Sequence, residues 1–85
     1  MRLTRKVIQE LLNQNEGFER NTKFSGRNFT EYRRYRITGG ELHIRVSGKT
    51  SWADSRFSDN YVASVDQTRR FLREYLEELN TDGLQ

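Results

Sequence analysis

The pair Gly39-Gly40 constrains this chain more than any other feature. It separates two segments in which apolar and polar residues alternate, Phe29–Ile37 and Leu42–Val46. A two-residue hairpin turn needs positive φ at both central positions, a conformation that glycine adopts readily and most residues do not. Such a turn also leaves no freedom in the pairing of the strands. It sets Ile37 opposite Leu42, Tyr35 opposite Ile44 and Arg33 opposite Val46 on one face. The other face then pairs Arg36 with His43, Arg34 with Arg45 and Tyr32 with Ser47.

Helical patterns flank this hairpin. Leu3, Val7, Ile8, Leu11 and Leu12 follow helical spacing, Thr4 stands where an N-cap belongs, and Leu3 and Ile8 are placed as a hydrophobic staple. Asn13, Asn15 and Gly17 close that helix, expected over about residues 4–15. Phe18–Phe24 reads as the first strand. Residues 48–60 are polar and read as a loop or as a short fourth strand around Trp52–Phe57, with Gly48 ending the third strand. Ser64 and Gln67 form a capping-box pattern ahead of the stripe Val65, Thr68, Phe71, Leu72, Tyr75, Leu76 and Leu79, a second helix ending near Asn80. The expected fold is a single α+β domain over residues 1–85. Its order is α-β-β-β-(β)-α, an antiparallel meander of three or four strands with both helices on one face.

Composition limits the possible chemistry. The 85 residues include 20 of Leu, Ile, Val and Phe, enough for a folded but thin core, and a homodimer is one way to bury more surface. With no cysteine and one histidine, disulfides and thiolate metal sites are excluded, and neither a metal nor a cofactor is expected. No apolar run approaches the roughly 20 residues of a membrane span, and the N-terminus lacks a signal-like segment. The expectation is a cytoplasmic protein with no membrane partner.

The net charge of +3 is unevenly spread: residues 17–40 hold six bases and two acids, and arginine outnumbers lysine twelve to three. The expected outer sheet face gathers Arg34, Arg36 and Arg45 with Tyr32, His43 and Lys23. Guanidinium groups suit phosphate and rings can stack bases, so this face is the candidate site for nucleic acid or another polyanion. Arg34 opposite Arg45 is unfavourable in isolation, and Glu19, next outward in the meander, is the internal residue placed to relieve it. Arg69 and Arg70 extend the candidate set. With Arg73 they lie toward the positive end of the second helix, while Glu74, Glu77 and Glu78 lie toward its negative end. An anion near the first turn would explain that arrangement. So would the pairs Arg70–Glu74 and Arg73–Glu77, with Glu77 and Glu78 also able to meet Arg2, Arg5 or Lys6.

Two further motifs have competing readings. Ser47-Gly48-Lys49-Thr50 looks like the end of a phosphate-binding loop, but His43 stands where that motif requires its first glycine. Trp52 in a loop either stacks a base or anchors an interface, or it covers the end of a small core. The element order resembles that of the α-β-β-β-α double-stranded-RNA-binding domain in topology alone. That family opens its last helix with a lysine cluster and carries proline and histidine in a hairpin loop. Here the helix opens Gln67-Thr68-Arg69-Arg70 and the chain contains no proline, so no residue role transfers.

The expected function is therefore a non-enzymatic binding module for nucleic acid or a polyanion. The alternative is a small protein-binding inhibitor or adaptor, of the kind carried by phages and mobile elements, that occupies a partner's nucleic-acid site or docks Trp52, Tyr61, Phe57 and the arginines on an acidic protein surface. The only enzyme worth weighing is a metal-independent ribonuclease, with His43 or Tyr32 moving protons and Arg34 or Arg45 stabilising charge on the phosphorane.

Overall fold

The computed structural model describes residues 2–50 and 56–81. Over them the order is α1 (Arg5–Gln14), β1 (Glu19–Ser25), β2 (Phe29–Thr38), β3 (Glu41–Thr50), β4 (Arg56–Val62) and α2 (Val65–Glu74). The strands form one antiparallel meander in the order β1-β2-β3-β4. Gly39 and Gly40 take φ of +61° and +74°, so the turn between β2 and β3 has the geometry their sequence demands. Every pairing that the turn dictates, from Ile37 with Leu42 to Tyr32 with Ser47, is present.

Capping accounts for where the helices begin. The Thr4 side chain accepts from the Val7 N–H, while Ser64 and Gln67 bond reciprocally through side chain and backbone. Leu11, Ile37, Leu42 and Leu72 are fully buried, and Leu3 and Ile8 lie in the same cluster. Each fully buried aliphatic chain contributes about 1.5–3 kcal/mol. A Phe18, Tyr35, Phe71 and Tyr75 aromatic group flanks them, with Tyr35 stacked on Phe71 at 4.9 Å. Both helices thus share the face made by Tyr35, Ile37, Leu42 and Ile44, and they contact each other.

The core occupies only the hairpin-turn end of the sheet. Ten-residue helices are about 15 Å long, whereas the ten-residue strands β2 and β3 extend about 33 Å. The molecule accordingly measures 49 × 21 × 20 Å, and among the described residues no helix covers the far half of the inner face.

Three expectations need correction. Gly48 does not end the third strand: β3 continues to Thr50, and Gly48 pairs with Glu31 on one side and Phe57 on the other. The fourth strand is real and continues to Val62, past the expected end at Phe57; it is described from Arg56, and the part of the expected strand from Trp52 to Ser55 lies outside the described residues. Four strands also part from the three-stranded order of the double-stranded-RNA-binding domain. Finally, α2 stops at Glu74, because the chain turns at Tyr75 and buries Leu79 from a non-helical segment.

That early stop removes the charge conflict expected for α2. Arg73 falls in the last turn, where a cation suits the helix dipole, and Asp66 sits in the first. Glu77 lies beyond the helix, so the i,i+4 pair with Arg73 has no helical basis. Glu78 pairs with Arg20 across the fold instead of with the bases of α1.

Candidate functional site

Alternation along unbroken strands assigns every strand residue to a face. The register of the three ladders shifts nowhere, so the outer face can be read directly. It carries Lys23 from β1, Arg34 and Arg36 from β2, Arg45 and Lys49 from β3, and Arg56 from β4. The acids on that face are Glu19 and Glu41. The inner face of the same strands balances Arg20 and Arg33 against Glu31 and Asp59. The basic excess of the chain is therefore concentrated on the side away from the helices.

Two cross-strand pairs on this face bring like charges together: Arg34 opposite Arg45, and Lys49 opposite Arg56. Glu19 stands opposite Arg36 in the ladder, yet its carboxylate reaches diagonally to Arg34, with Oε1 3.1 Å from Nε. The relief expected from Glu19 therefore reaches Arg34 alone. Among the described residues, Arg36 and Arg45 have no carboxylate within ion-pair distance.

Two shallow depressions cross the face. One of about 290 Å³ is lined by Arg34, Arg36, His43, Arg45 and Asn60 among others. The other, about 310 Å³, is lined by Asn21, Tyr32, Arg34, Arg45 and Ser47 among others. They share Arg34 and Arg45, so the like-charged pair lies where the two depressions adjoin. Tyr32 lines the second and is exposed, and the Lys23 ammonium lies 5.8 Å from the ring centroid, within cation–π range.

Six of the expected site residues thus share one surface: Lys23, Tyr32, Arg34, Arg36, His43 and Arg45. Arg69 and Arg70 do not join them. Arg69 donates from Nε to the Leu3 carbonyl at 3.0 Å and from Nη1 to Asp66 at 2.9 Å, tying α2 to the N-terminal segment. Arg70 lines a separate depression on the helix side, with Arg33, Tyr35, Tyr61, Gln67 and Glu74. Arg33 there is already engaged. Its Nε donates to Glu31, and that bond, followed by one with Tyr35, raises the guanidinium further above its already high range.

Sequence reasoning missed Lys49, Arg56 and Asn60. Extending the two-residue register beyond Val46 would have placed Lys49 beside Arg45 on the outer face. Among the described residues no group of three His, Asp or Glu side chains converges on a metal site. No family model, curated protein or solved structure matches the chain.

Proposed function

We propose that the outer sheet face binds the phosphate backbone of nucleic acid and that the chain acts as a non-enzymatic binding module. The observation carrying this reading is the Arg34–Arg45 juxtaposition where the two depressions adjoin, with the Glu19 carboxylate paired to Arg34 and none to Arg45 among the described residues. A phosphate seated there turns an unfavourable cross-strand pair into two charge-assisted contacts. Arg36, Lys49 and Arg56 extend the track in both directions, and Tyr32 offers an exposed ring for a base. A ribonuclease reading fits less well. His43 and Tyr32 lie four pair positions apart along the β2–β3 ladder, about 13 Å, too far to act on one phosphate as acid and base.

The test is a titration against single- and double-stranded DNA and RNA at two salt concentrations. Binding through four or five phosphates requires log K to fall against log salt with a slope of about −3 to −4.5. A salt-independent affinity, or none at low salt, overturns the reading. An acidic protein surface presents similar anionic chemistry. A complex from lysate that survives nuclease treatment and competes with the oligonucleotide would assign the face to protein instead.

A further inference from the structure

The uncovered half of the inner face carries three phenylalanines, Phe24, Phe29 and Phe57, exposed at 61%, 38% and 42%. The rings of Phe24 and Phe29 pack at 5.6 Å across β1 and β2. Phe57 leans toward them from β4, with its ring over Gly48 of β3, where an added Cβ would come within 2.3 Å of it. Apolar rings thus extend from one edge strand toward the other, on a face that no helix of the described residues covers.

The charges at this end separate by face. Lys23 stands opposite Tyr32, and Lys49 opposite Arg56, so all three cations project from the outer side. On the inner side the charged strand residues beside the rings are Glu31, Arg33 and Asp59. Arg33 donates to Glu31, which leaves Asp59 as the charge without an ion-pair partner among them. A face so close to neutral offers phosphates little and does not repel its own copy. Shape and area then favour that copy as the occupant. The helices form a layer about 10–12 Å thick over the near half, and sheets packed face to face lie about 10 Å apart. A second sheet laid on the bare half therefore fills the step beside the helix layer. With two copies turned end for end, the helices of each lie beyond the end of the other's sheet. The bare region is about 18 Å long and about 19 Å wide, a footprint of about 350 Å². Two copies joined there bury less than about 1,200 Å² in total, the class of weak and reversible complexes.

We infer that two copies of the chain meet through this inner face as a weak symmetric dimer, the phenylalanines of one copy packed on those of the other. The contact is isologous, since the same patch serves both copies. It leaves the two outer faces open on opposite sides of the dimer, and it stands whether or not those faces bind nucleic acid.

Sedimentation equilibrium of the full chain, from about 5 µM to about 1 mM, should show a monomer–dimer equilibrium with a dissociation constant on the order of 100 µM. The double variant Phe24→Lys with Phe57→Lys should raise that constant by about tenfold or more. Its new ammonium groups stand opposite Glu31 and beside Asp59, so the folded monomer gains cations next to carboxylates. Val62→Lys replaces an equally open apolar residue, 49% exposed, on the outer face at the hairpin-turn end. It should leave the constant within about twofold. A wild-type chain that stays monomeric throughout leaves the patch to another protein and overturns the inference. So does a dimer that survives the phenylalanine pair, or one that Val62→Lys disperses instead. A second readout needs no variant: on dilution of the isotope-labelled wild type, amide shifts should change at Phe24, Glu31, Gly48 and Phe57 and hold at Leu42 and Val62. Changes centred on Leu42 and Val62 would place the contact at the wrong end of the sheet and overturn the inference.

Discussion

Arg34 and Arg45 stand directly opposite each other on the exposed face of the β2–β3 ladder, and Glu19 pairs with the first alone. A two-glycine turn that allows no slippage holds them there, since any shift of one residue would turn Ile37 and Leu42 out of the core. The fold thus cannot separate the two charges without losing its centre.

Arg45→Gln should consequently change stability and binding in opposite directions. Like charges directly opposite cost some tenths of a kcal/mol up to about 1 kcal/mol. The variant should gain a small part of that in urea unfolding at low salt, and the gain should shrink as salt screens the pair. Nucleic-acid binding should weaken, with the salt slope shallower by about one phosphate contact. A loss of stability together with unchanged binding contradicts both halves.

Arg69 and Arg36 should behave as opposites. Arg69→Ala removes the link from α2 to the Leu3 carbonyl and should cost about 1 kcal/mol, discounted for its partial exposure, with oligonucleotide affinity unchanged. Arg36→Ala should leave the melting curve in place and weaken binding. Parallel melts and titrations of the two proteins check this division of roles.

Much of this was legible from residues whose neighbours are buried. The turn at Gly39-Gly40, the caps at Thr4 and Ser64 and the apolar stripes all report on the half of the molecule that has a core. Past Val46 the alternation fades because Gly48 and Thr50 face an inner surface that no helix of the described residues covers. Burial is what writes a period-two pattern, so the continuation of β3 left little trace. The C-terminus misleads for the opposite reason. Tyr75, Leu76 and Leu79 keep helical spacing and are wholly or partly buried, yet they do so from a turn. No sequence signal distinguishes Arg69, a structural tie, from Arg70 beside it.

Asn15 explains how that turn is held. Its Nδ2 donates to the carbonyls of Leu11 and Asn80 at 2.8 and 3.0 Å, and its Oδ1 accepts from the Asn80 N–H at 2.8 Å. Asn15→Ala should cost about 1–3 kcal/mol, because buried polar partners lose their bonds. Amide exchange should quicken most over residues 75–80. Uniform acceleration across the sheet would mean that the contact does not act locally.

Tyr75 contributes to the alkaline side of the stability profile. Burial first, and the nearby Glu74 carboxylate second, raise its phenol above the ordinary value near 10. The folded state therefore holds this proton more tightly than the unfolded chain. That contribution is complete below the unfolded value and is lost as pH rises through the folded one. Stability should fall above about pH 10, and Tyr75→Phe should flatten that part of the profile. An unaltered profile in the variant would place the alkaline loss elsewhere.

Gly48→Ala tests whether the far half of the sheet is built around Phe57. The added methyl would sit 2.3 Å from the Phe57 ring and 2.7 Å from the Thr30 carbonyl oxygen. Overpacking of this kind typically costs about 1–3 kcal/mol. Phe57 is a partly exposed side chain and can yield, whereas the Thr30 carbonyl belongs to the ladder and cannot. Phe57→Ala in the same chain should thus recover part of the loss and leave the remainder, giving a favourable coupling in a double-mutant cycle. Additive losses would show that the ring and the glycine do not share the space. A full recovery would show that the carbonyl gives way, and the strand near Thr30 would then be softer than an unbroken ladder implies.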